Sequence, residues 1–191
     1  MKRLSALFIC VLLVLPLSSC RSSAGYKNSV EVIIDGDGRF PEFLVGRWTA
    51  DTGGWEIIFE PDGTISSAVI SLGRVRMIPG QVTKTKMRLG GEGVFEPGQW
   101  TVQYLQAKRE LLVEIAIEHF TVELGENVLG GKAREILVGQ VSSDGQLWWP
   151  ERFTYPEYTA DTKKHPNYKL PVDYNDNPRE SLTFRKATEL K

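Results

Sequence analysis

Between Gly46 and Ser71 the chain alternates so regularly that a β-hairpin is the natural reading. Trp55, Ile57 and Phe59 fall on one side, and Glu56 and Glu60 fall on the other. A period of two marks a half-buried strand, because successive side chains leave opposite faces. Pro61-Asp62-Gly63 then reverses the chain. Proline presets φ, aspartate bonds nearby backbone, and glycine accepts positive φ. A second strand returns from Thr64, and a shorter one carrying Trp48 precedes both.

The rest of the chain repeats this grammar. Val30 to Ile34 alternates weakly, as an edge strand does. Asp35-Gly36-Asp37-Gly38 has the opening of a calcium loop, but Arg39 and Gly46 occupy positions that need oxygen ligands, which favours a plain turn. Pro41 to Val45 fits one helical turn. Val75 to Ile78 and Gln81 to Leu89 read as strands split by Pro79-Gly80, with a flexible turn over Gly90 to Gly93. Trp100, Val102 and Tyr104 share a face. Leu111, Val113, Ile115 and Ile117 form the most regular apolar stripe, and Phe120, Val122 and Leu124 continue it in the opposite parity. A one-residue phase change is what a β-bulge produces, which places one near Glu118-His119. Gly125 to Ala133 reads as a glycine-rich loop. Strands over Glu135 to Ser142 and Gln146 to Tyr155 flank the turn Ser143-Asp144-Gly145. In the second of these, Leu147, Trp149, Phe153 and Tyr155 are expected to face inward, with Pro150 marking an edge or a kink. Pro156 to Arg179 is a long irregular segment, and Leu182 and Phe184 belong to a last strand.

No helix of ordinary length fits this pattern, so the expected class is all-β and antiparallel. Closure into an up-and-down barrel of about 8–10 strands would hide the sheet edges.

The N-terminus carries a cellular address. Lys2 and Arg3 precede an apolar run from Leu4 to Leu17, which has signal-peptide proportions and is short for a bilayer crossing of ~20 residues. Leu17-Ser18-Ser19-Cys20 resembles the lipobox of bacterial lipoproteins. The resemblance implies cleavage before Cys20 and diacylglycerol on its thiol, and hence attachment to the membrane by acyl chains. It divides the chain into a signal peptide (1–19), a lipidated flexible tether (20–29) and a single domain (30–191). An aspartate after the cysteine would resemble an inner-membrane retention signal. Arg21 stands there instead, which favours the periplasmic side of the outer membrane in a Gram-negative cell envelope.

Gly46-Arg47-Trp48 near the start of the domain resembles the Gly-x-Trp signature of lipocalins and the wider calycin group. Trp55-x-Ile57-x-Phe59 followed by Asp62-Gly63-Thr64 is similar to the second-strand hairpin of bacterial lipocalin-like domains. The resemblance implies a lipocalin-like barrel in which Trp48 plugs the closed end and a basic residue of the last strand, here Arg185, packs across it.

Other chemistry is sparse. The formal net charge of −1 becomes −3 once Lys2 and Arg3 leave with the signal peptide, so the domain lacks the basic footprint of a nucleic-acid binder. Both cysteines, Cys10 and Cys20, lie at the N-terminus, which leaves the body without a disulfide, a thiol nucleophile or a cysteine-based metal site. The two histidines, His119 and His165, cannot build a three-histidine zinc site. We therefore expect no catalytic residue, metal or cofactor, although His119 beside Glu118 at the bulge could place a general base at a barrel rim, and the many carboxylates leave room for an acid pair in a cleft. By parity, Trp55, Phe59, Trp100, Tyr104, Trp149 and Tyr155 either line an apolar ligand cavity or fill a dry core. The expected function is binding of a small apolar or amphipathic ligand. The alternative is a structural module that docks another envelope protein.

Overall fold

The computed structural model describes residues 29–70, 74–87, 90–125, 127–160 and 179–187. The signal peptide, Cys20, the tether up to Asn28 and the segment 161–178 lie outside the described residues.

Among the described residues thirteen strands make one sheet: β1 (Val30–Asp35), β2 (Gly46–Ala50), β3 (Glu56–Phe59), β4 (Ile65–Ile70), β5 (Val75–Met77), β6 (Thr83–Lys86), β7 (Glu92–Pro97), β8 (Trp100–Leu105), β9 (Glu110–Leu124), β10 (Asn127–Val141), β11 (Leu147–Ala160), β12 (Arg179–Ser181) and β13 (Phe184–Lys186). The helical content among the described residues is two 3-10 turns, Glu42–Leu44 and Gln106–Lys108. The protein is all-β, as the alternation requires.

From β2 onward most neighbours follow chain order, and β13 returns to pair antiparallel with β2, with Lys186 opposite Trp48. β7 and β8 lie end to end along β9: Gly93 to Pro97 face Val122 to Ile117, and Thr101 to Leu105 face Glu114 to Glu110. β12 and β13 succeed each other along β11 in the same way. Joining each interrupted pair reduces the thirteen strands to eleven.

Two features depart from the expected all-antiparallel, closed meander. β1 runs parallel to β8, from Val30 opposite Trp100 to Asp35 opposite Leu105. Between β5 and β6 the ladder shrinks to one bridge, Ile78 to Gln81, so the sheet is mixed and open along that seam.

The expected bulge is present. β9 shifts register against both neighbours where Ile117 and Phe120 both turn inward and Glu118 and His119 both turn out. The glycine-rich segment expected as a loop is instead strand, since β10 pairs with β9 from Asn127 opposite Leu124. β7 also takes in residues expected to form a turn.

One continuous core gathers Trp48, Trp55, Trp100 and Trp148 with Phe59, Phe95, Phe120 and Phe184. Burying each such ring contributes roughly 1.5–3 kcal/mol. The connecting turns alternate between two ends of the meander. At the lower end the 3-10 turn over Leu44 covers Trp48, whose indole Nε1–H donates to the Leu44 carbonyl at 2.8 Å.

Candidate functional site

The inward faces of β10 and β11 are not wholly apolar. Along β10 they present Ala133, Glu135, Leu137 and Val141; along β11 they present Trp148, Pro150, Arg152 and Thr154. The register sets Glu135 opposite Thr154 and one step diagonally from Arg152, which is opposite Leu137. Cross-strand neighbours at this spacing meet. The Arg152 guanidinium grips Glu135 with two bonds, Nε to Oε2 at 2.9 Å and Nη2 to Oε1 at 3.2 Å. Thr154 Oγ1 donates to Glu135 Oε2 at 2.7 Å, and Arg152 Nη1 donates to Glu180 Oε2 at 2.7 Å. Glu135 has a side chain only 4% exposed and that of Arg152 is 14% exposed. Burial pulls the Arg152 pKa down, but the hydrogen bonds and charges of Glu135 and then Glu180 outweigh it and hold the pKa above its ordinary value.

Arg152 lies over the Trp55 ring, 5.2 Å from its centroid. Trp55 is fully buried, and its indole nitrogen is the one buried side-chain polar atom without a hydrogen-bond partner among the described residues. The other three buried indoles are satisfied by the carbonyls of Leu44, Ala116 and Gly139. Gly53 allows the close turn above Trp55: its φ is +69°, and a Cβ there would stand 3.2 Å from Trp55 Nε1. A guanidinium carries five N–H donors, and three serve Glu135 and Glu180. Among the described residues the cluster therefore keeps unused N–H donors on Arg152 and Trp55.

The residues expected to line one cavity separate into two sets. Trp55, Phe59, Trp100 and Tyr104 are buried, but against different partners: Phe59 meets Phe40 at 5.7 Å, and Tyr104 meets Phe43 at 6.2 Å. Trp149 and Tyr155 face outward and are 47% and 49% exposed, which corrects the inward parity expected for them. Trp148 takes the inner place. The expected Arg185–Trp48 contact also gives way. Phe184 packs inward on Trp148 at 4.8 Å, so Arg185 is turned out in register with Thr49. At the lower end Lys186 and Arg109 supply the basic contacts instead. Lys186 Nζ donates to the Phe43 carbonyl at 2.9 Å, and the Arg109 guanidinium sits 4.9 Å from the Phe43 ring centre.

His119 lies on the outer face, 3.3 Å from Thr121 Oγ1. No group of three or more His, Cys, Asp or Glu side chains that could hold a metal occurs among the described residues. Sequence reasoning missed Glu135, Arg152 and Thr154 because polar residues on a strand default to the solvent face. Only the choice of Trp148 over Trp149 as the inward residue would have carried Arg152 and Thr154 inside.

Comparison with known proteins finds no matching family model, no similar curated protein and no similar solved structure.

Proposed function

We propose that the chain is a lipid-anchored protein of the bacterial envelope whose sheet curls into a lipocalin-like barrel and takes up a small amphipathic molecule. The polar group of that molecule meets Arg152 and Trp55, and its apolar part packs among the core aromatics. The observation that carries this reading is the fully buried Trp55 N–H without an acceptor beside an inward-facing, hydrogen-bonded guanidinium. A buried donor left unsatisfied costs about 1–3 kcal/mol, which an acceptor on a ligand would recover. The return of β13 to β2 and the bridge between β5 and β6 support the barrel reading.

Titration of tryptophan fluorescence with long-chain fatty acids and lysophospholipids tests the binding. A saturable change that is weakened by Trp55→Phe supports it, and no saturable change with any amphiphile removes it. Anchoring is tested by labelling with palmitate in the cell. Label is expected in the wild type and absent from Cys20→Ala. Arg21 after the cysteine favours the periplasmic leaflet of the outer membrane, which membrane fractionation would check.

A second reading, docking to another envelope protein, draws on the outer face of β11. Trp149, Phe153 and Tyr155 stand there in one row, with Arg179 and Arg134 over the last two rings at 5.3 Å and 5.4 Å. Trp149→Ser with Tyr155→Ser would abolish such docking while leaving ligand uptake intact.

A further inference from the structure

A second polar concavity lies at the lower end, away from Arg152 and Trp55. It encloses about 480 Å³ and is lined by Asp37, Arg39, Phe43, Tyr104, Gln106 and Arg109 among others. Its volume falls within the usual range of small-molecule sites, roughly 300–1,000 Å³. Arg109 is held rigidly. It adopts φ +51°, and its side chain donates to the carbonyls of Val141, at 3.2 Å from Nε, and of Ser142. Its guanidinium also stacks on Phe43. Those bonds use Nε and Nη2 and leave Nη1 for a ligand. Arg39 is exposed and forms no ion pair among the described residues. Tyr104 is 2% exposed as a residue, and its side chain lines the concavity. Burial pushes the Tyr104 pKa up, partly offset by Arg109, so the hydroxyl stays protonated and able to donate at neutral pH. The opposing charge is Asp37, whose Oδ1 already accepts the Arg39 backbone N–H at 3.1 Å. The lining thus carries two guanidinium cations against one carboxylate, with a phenol donor between an aromatic wall and an amide.

We propose that this concavity is an oxyanion site for a phosphate group, with Arg109 as the fixed cation, Arg39 as the closing one and the Tyr104 hydroxyl as a neutral donor. Arginine suits this task because its planar fork matches the oxygens of a phosphate. Phe43 gives an organic phosphate a surface for its carbon portion.

Isothermal titration calorimetry of the full-length chain in a non-ionic detergent tests the assignment, with inorganic phosphate and glycerol 3-phosphate as separate probes at low ionic strength. Saturable binding of at least one probe is expected. Tighter binding of glycerol 3-phosphate would identify an organic phosphate as the natural source, and equal or weaker binding the free ion. Arg39→Gln, an exposed change that leaves the fold alone, is expected to weaken binding about ten-fold, and Tyr104→Phe, which removes only the hydroxyl, about three- to ten-fold. No saturable heat from either probe at millimolar concentration overturns the assignment, as does affinity unchanged in both variants. Amphiphile binding at the interior site, read by tryptophan fluorescence, is expected to be unchanged by saturating phosphate, so the two outcomes are separable.

Discussion

Trp48 and Trp55 are both fully buried and differ in one bond, since only Trp48 finds a carbonyl for its indole N–H. Replacing either by Phe loses similar area and leaves a similar void. Trp48→Phe additionally strands the Leu44 carbonyl, so it should cost about 1 kcal/mol or more beyond Trp55→Phe in urea unfolding. Equal costs would mean that Trp55 is bonded in solution. Glu135 and Arg152 form a buried pair, and Glu135→Ala leaves the guanidinium without its main partner. A loss of about 3–5 kcal/mol is expected. Glu135→Leu combined with Arg152→Met should lose far less, because no charge is left unpaired; a double variant as damaged as the single one would contradict this. Asp144 titrates in the opposite sense from Arg152. The Ser142 hydroxyl and the Gln146 backbone N–H lower its pKa in the fold. Its contribution is therefore present above the unfolded value of about 3.9 and is lost as pH falls through the lower, folded value. The melting-temperature gap between wild type and Asp144→Ala should narrow as pH drops below about 4. At this scale the sequence made Trp48, Trp55 and Trp100 legible, because each sits in an unbroken alternation. Trp148-Trp149 was not legible: two adjacent tryptophans fit either parity, and the apolar neighbours Phe153 and Tyr155 argued for the wrong one.

Hairpins were easier to read than strand lengths. The turn at Pro61-Asp62-Gly63, the bulge at Glu118-His119 and the turn at Ser143-Asp144-Gly145 all stand where local chemistry put them. The glycines of β10 suggest a loop and a shorter strand, whereas pairing on both sides holds the segment extended. Gly139 shows why a glycine belongs in that strand. It lies opposite Pro150, and a Cβ there would land on the Trp149 carbonyl oxygen. Pro150 in turn sits where the other neighbour of β11 changes from β13 to β12, and its carbonyl accepts the Leu182 N–H at 3.0 Å. The missing proline donor is tolerated at such a break. Gly139→Ala should destabilise by about 1–3 kcal/mol through overpacking. A variant within about 0.5 kcal/mol of wild type by chemical denaturation would show that the two strands separate without penalty.

On the scale of the whole molecule, the parallel placement of β1 on β8 has no local signature, since a weak alternation does not name its neighbour. β1 nonetheless reaches across the fold: Val32 and Phe40 both crowd Gly63 in the β3–β4 turn. The seam between β5 and β6, held by a single bridge, is the weakest line of the sheet. Amides of β5 and β6 should exchange hydrogen well before those of β9 and β10, which pair along almost their whole lengths. Uniform protection across both regions would mean a sheet fully closed in solution. In the proposed function Arg152 and Trp55 are the polar anchor of an interior site. Native mass spectrometry of the full-length protein, released from its membrane in mild detergent, addresses that anchor directly. The expected spectrum carries a non-covalent small-molecule adduct in the wild type that is lost when Trp55→Phe and Arg152→Met are combined. A bare wild-type mass, or an adduct indifferent to both substitutions in a folded variant, would contradict an interior binding site.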